Sequence, residues 1–123
     1  MLAGLLLAAC AAWHPQATGY YDGTVASSGQ EQRIETWFEL APDGQLQGRY
    51  VLHEPRRDVP GTLQPVADEG CDAAVFRWTD LYGTGLTRLR FFPDRHCFDG
   101  SWGVQSVDPT LFWHACTKER VTS

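Results

Sequence analysis

Beyond its first ten residues this chain shows no helical stripe. Turn-forming residues interrupt it at short intervals, and apolar and polar positions alternate between them. That pattern confines the fold to short antiparallel strands. Eight are predicted: Tyr20–Ala26, Arg33–Leu40, Gln45–Leu52, Gly61–Val66, Ala73–Asp80, Leu86–Phe92, Cys97–Val104 and Leu111–Lys118. The fold class that follows is all-β, a small antiparallel meander barrel of about eight strands, with an open β-sandwich as the alternative.

Three turns allow the register to be tested. Pro42-Asp43-Gly44 suits a type I turn followed by a left-handed glycine. Closing it sets Leu40 opposite Leu46, Phe38 opposite Gly48, Thr36 opposite Tyr50 and Ile34 opposite Leu52, one mainly apolar face. The other face then pairs Glu39 with Gln47 and Trp37 with Arg49, an exposed aromatic under a guanidinium. The turn Pro93–His96 sets Phe91 opposite Phe98, Leu89 opposite Gly100 and Thr87 opposite Trp102, with Arg90 facing Asp99 on the outside. A turn at Gln105–Asp108 sets Trp102 opposite Leu111, Gly100 opposite Trp113 and Phe98 opposite Ala115. Both neighbours of the Cys97 strand therefore choose Phe98, Gly100 and Trp102 as its inner face. A one-residue slip would turn all three outward.

With 123 residues the chain suits one domain. Five Trp, six Phe and four Tyr supply a core despite the small size. The net charge is -5, and only Lys118 joins nine arginines on the basic side. Nucleic acid is an unsuitable partner, because phosphates need a clustered basic surface.

The N-terminus carries a distinct signal. Leu2–Ala9 contains only Leu, Ala and Gly, too short to span a bilayer as a helix but suited to the end of a signal peptide. Leu7-Ala8-Ala9-Cys10 resembles the lipobox of bacterial lipoproteins. The resemblance implies a signal peptide over residues 1–9, cleavage before Cys10 and a diacylglycerol on its sulfur. The charged leader usual in that family does not precede Leu2, which fits a start upstream of Met1 or a truncated chain. Ala11, in place of Asp, implies sorting to the outer membrane, with the domain facing the periplasm. Residues 10–19 then read as a lipidated tether, with Trp13 at the membrane interface, and residues 20–123 as the single domain.

Asp43–Tyr50 and Phe98–Gly103 each place a glycine two residues before an aromatic on a strand. These phrases loosely resemble hairpins of avidin-like and lipocalin-like barrels, over about a quarter of the chain. No ligand-binding residue is carried over from either family.

With Cys10 assigned to lipid, Cys71, Cys97 and Cys116 remain. A meander brings all three to one rim. The register sets Cys97 opposite Cys116, the favoured disulfide, with Cys71 free; Cys71–Cys97 is the alternative pairing. A zinc site adding His96 lacks any Cys-x-x-Cys spacing.

No catalytic constellation stands out. Asp99, Ser101 and His114 share an outward face, but no Gly-x-Ser-x-Gly elbow accompanies them, and a polar ladder explains them better. Glu31, Glu35 and Glu39 read as outward residues near or on a strand rather than a helical carboxylate stripe. Glu54–Pro60 reads as a salt-bridged loop. Trp78 and Tyr82, with two glycines at a hairpin tip, either line a barrel mouth or form a turn over a core Trp78. Two functions fit. One is a non-enzymatic barrel holding a small apolar or amphiphilic molecule through Trp78, Tyr82, Trp102 and Trp113. The other is a structural or interaction lipoprotein with a filled core and an envelope-protein partner. No enzyme, cofactor or metal is expected, and the membrane is contacted through the N-terminal lipid.

Overall fold

The turn at Pro42-Asp43-Gly44 forms as its residues dictate. Gly44 takes φ +86°, the Gly44 N–H donates to the Ala41 carbonyl at 2.8 Å, and the Gln45 N–H donates to the Asp43 carboxylate at 3.0 Å. From it the computed structural model, which describes residues 13–117, extends into eight antiparallel strands. A one-turn helix α1 (His14–Ala17) precedes them. The strands are β1 (Gly19–Ser27), β2 (Gln30–Leu40), β3 (Leu46–His53), β4 (Asp58–Glu69), β5 (Ala73–Asp80), β6 (Gly83–Phe92), β7 (Cys97–Gly103) and β8 (Asp108–Thr117). Each pairs with the next, and β8 pairs with β1 through Tyr21–Thr117 to Val25–Trp113, so the sheet closes into a barrel. Closure removes the open-sandwich alternative. The signal segment, Cys10 and Lys118 lie outside the described residues.

The first two registers agree with the sequence reading, from Leu40–Leu46 to Ile34–Leu52 and from Phe92–Cys97 to Thr87–Trp102. The third agrees only in part. Phe98 faces Ala115 and Gly100 faces Trp113, but Trp102 faces Asp108, not Leu111. The ladder shifts between Ser101 and Trp102, where residues 109–111 are extra. The Asp108 carboxylate accepts from both the N–H and the hydroxyl of Thr110, which fixes this local bend. β4 also runs longer than expected, because a bulge between Pro65 and Ala67 lets it continue to Glu69.

The interior is filled at one end. Tyr21, Phe38, Phe91 and Phe98 meet with ring centroids 5.0–6.1 Å apart, and Phe76 sits 5.3 Å from Phe38. Such tilted and edge-on contacts add to the area these rings bury. Gly100 permits this packing: a Cβ there would fall 2.0 Å from the Arg88 carbonyl oxygen.

The expected tether is folded from Trp13 onward. Trp13 is buried and packs 5.6 Å from Phe91 instead of lying at a membrane interface. The Tyr21 hydroxyl donates to the Ala17 carbonyl at 2.8 Å, and His14 bonds Asp68 at 3.0 Å and the Gly44 carbonyl at 3.2 Å. Burial pushes the Tyr21 phenol up to about 12. α1 thus plugs the filled end.

The same end holds the cysteines. Cys97 and Cys116 form a disulfide across their own strand pair. Cys71, expected free, is also disulfide-bonded.

Candidate functional site

The unplugged end of the barrel contains a cavity of about 220 Å³. Alternation along each strand decides what lines it. On β5, Phe76, Trp78 and Asp80 share the inward face: Phe76 lies in the core, Trp78 above it, and Asp80 at the strand end. Tyr50 on β3 and Trp113 on β8 form the floor, edge to face at 5.2 Å. Trp102 on β7 meets Trp78 at 5.6 Å and 89°, so the two indoles make a corner.

Trp78, Trp102 and Tyr50 are each anchored by a hydrogen bond. The Trp78 indole N–H donates to the Gly103 carbonyl at 3.1 Å, and the Trp102 N–H donates to the Ala26 carbonyl at 2.9 Å. The Tyr50 hydroxyl donates to Asp80 at 2.6 Å, and the Tyr82 backbone N–H donates to its other oxygen at 2.8 Å. Burial first, then the hydrogen bond to Asp80, pushes the Tyr50 phenol far above its usual value. Tyr50 fits only because β4 carries Gly61 opposite it, where a Cβ would meet the ring at 2.1 Å. Trp113 is buried, and its indole N–H has no hydrogen-bond partner among the described residues.

The rim is polar. Tyr82 is exposed at the β5–β6 turn, and its hydroxyl donates to Glu54 at 2.6 Å. Arg57 bonds both Tyr82 at 2.9 Å and Glu54 at 3.3 Å. The 54–57 loop is therefore salt-bridged as its mixed charge suggested, and it is tied to the turn across the mouth, whereas Asp58–Pro60, expected in the loop, begin β4.

All four residues expected to bind a ligand, Trp78, Tyr82, Trp102 and Trp113, line this one cavity. Trp78 is both core and cavity wall, whereas Trp102 is only partly buried. Sequence reasoning missed Tyr50 and Asp80 as members. The signal for Asp80 was present: it shares the inward parity of Phe76 and Trp78, an unusual place for a carboxylate.

The other candidates do not assemble into chemistry. Asp99 and His114 are paired and half-exposed, but Ser101 stands opposite Phe112. Arg90 stands opposite Asp99 as expected, but its guanidinium lies 3.9 Å from Asp72. Glu31 and Glu39 are exposed. Glu35 joins an outer-face network, accepting from Tyr20 at 2.5 Å and from His53 at 2.5 Å, while His53 also bonds Asp58 at 2.8 Å. Burial, then the bond to Glu35, pushes the Tyr20 phenol up to about 12. Among the described residues no cluster of His, Cys, Asp and Glu is arranged to hold a metal. No family model, curated protein or solved structure matches the chain.

Proposed function

We propose that the domain is a non-enzymatic barrel that holds a small apolar or amphiphilic molecule in its open end, and that a lipid on Cys10 anchors it in the bacterial envelope, in the outer membrane facing the periplasm. The cavity carries the first part. It is walled by aromatic and aliphatic side chains, while the opposite end of the same barrel is filled by the aromatic core and covered by α1, which leaves only a smaller hollow of about 100 Å³ beside Trp13 and Tyr21. At about 220 Å³ it falls below the roughly 300–1,000 Å³ usual for drug-sized ligands, so its guest is small. The Leu7-Ala8-Ala9-Cys10 motif supports the anchor.

The test is uptake of a neutral apolar fluorophore. Saturable binding by the wild type, weakened in Tyr82→Ala, supports the cavity reading. Absence of saturable binding would leave a structural or interaction module. One surface favours that second reading: Tyr20, Trp37 and Arg49 form an outer aromatic–guanidinium ladder, with the Tyr20 ring 5.2 Å from Trp37 and the guanidinium 4.3 Å above it.

A further inference from the structure

Asp80 differs from the other carboxylates of the mouth. It belongs to the inward row of β5, it helps line the aromatic cavity, and it takes part in no ion pair among the described residues. Its two hydrogen bonds, from the Tyr50 hydroxyl and the Tyr82 N–H, come from uncharged donors. They hold the carboxylate in place and leave its charge uncompensated. The nearby cation does not compensate it, because Arg57 is committed to Glu54 and the Tyr82 hydroxyl.

The surroundings favour a cation on two further grounds. Trp78 and Trp102 meet at 89° on the cavity wall, so aromatic rings bound the space that Asp80 helps to line, whereas the Tyr82 ring is already covered by the Arg57 guanidinium, 5.5 Å from its centroid. The loops and strand ends of the mouth carry Glu54, Asp58, Asp80 and Asp108 against Arg56 and Arg57. That excess of negative charge attracts cations and repels anions.

We infer that the guest is a small organic ammonium with an apolar body, its charged nitrogen held by Asp80 beside Trp78 and Trp102 and its apolar part in the cavity. This rests on the binding-barrel reading and narrows the chemical class of the ligand. No bond is made or broken; discrimination comes from charge and ring faces.

The experiment compares 2-naphthylmethylammonium, 2-naphthalenemethanol and 2-naphthoate by calorimetry at low ionic strength. The three share an apolar body and differ in charge. The expected order is ammonium first, about tenfold tighter than the alcohol, with the carboxylate weakest. In Asp80→Asn the ammonium-to-alcohol ratio falls to about one, while Asp80→Glu, which keeps the charge, retains the preference. If the wild type binds all three equally, or prefers 2-naphthoate, the cation inference is overturned and the cavity reading stands. If it binds none of them, both are overturned. The wild-type series decides the matter even if Asp80→Asn folds poorly.

Discussion

Tyr50 and Asp80 meet across the mouth of the barrel at 2.6 Å, from two strands that are not neighbours but flank β4. Gly61 on the intervening strand makes the contact possible by leaving room for the phenol ring. The pair marks the boundary between a solid core and an open cavity, and the two parts respond differently to substitution.

The solid part is tested at Phe98, which is fully buried and touches Tyr21, Phe38, Phe91 and Trp113. Phe98→Ala is expected to cost about 3–5 kcal/mol in denaturant unfolding, as for large core aromatics. Trp102→Ala is expected to cost less. Trp102 is only partly buried, although both flanking registers place it on the inner face with Phe98. Equal losses from the two variants would contradict a cavity beside Trp102.

The disulfide between Cys97 and Cys116 joins residues 19 apart in sequence. Constraining a loop of that size in the unfolded chain stabilises by about 3 kcal/mol in the chain-entropy account. The double substitution Cys97→Ser and Cys116→Ser should lower unfolding stability by about that amount. A change near zero would show that the unfolded chain is constrained by something other than this bridge.

His53 makes stability depend on pH. Burial lowers its pKa, but hydrogen bonds to Glu35 and then Asp58 outweigh this and hold it above 6.5. With both ring nitrogens facing carboxylates, the imidazolium form satisfies both bonds. Its contribution is complete below the unfolded value and is lost as pH rises through the folded one. Glu35 is held below 4.5, first by the Tyr20 hydrogen bond, against the effect of burial, and then by His53. Its contribution is lost as pH falls through that lowered value. The melting-temperature gap between wild type and His53→Gln should therefore be largest between 4.5 and 6.5 and shrink as the pH rises above that window. A gap that widens toward alkaline pH would reverse the assignment.

Cys71 connects the fold to the proposed anchor. It is disulfide-bonded. A thioether lipid on Cys10 and a bridge from its sulfur to Cys71 exclude each other chemically. Mass mapping of the N-terminal peptide from membranes decides between them. The lipoprotein reading expects a diacylglyceryl mass on Cys10 and release of Cys10→Ser into the soluble fraction. A Cys10–Cys71 peptide at full occupancy would overturn it.

Registers were legible wherever a strong turn met a one-sided apolar strand. Pro42-Asp43-Gly44 fixed the partner of Phe38 across its hairpin, and Pro93–His96 fixed those of Phe91 and Leu89. The β7–β8 pairing was legible from Cys97 to Ser101 and then lost, because a side-chain cap at Asp108 inserts residues that alternation does not reveal. Trp13 was misplaced for a different reason. A helix of four residues is too short to show a period, and only Pro15 in its first turn hints at it. The four aromatics of the site were legible as inward or mouth positions. Its polar centre was not, because the Tyr50–Asp80 contact joins strands two apart in the sheet.

The central claim is that the open end admits a guest. The most direct measurement is a titration of wild type and Ser27→Trp with N-phenyl-1-naphthylamine, a neutral fluorophore. Ser27 lines the cavity at the end of β1, where an indole would fill the space without entering the packed core. The account predicts saturable one-site uptake by the wild type and none by a folded Ser27→Trp. Equal uptake by both proteins, or no saturable uptake by the wild type, would contradict it.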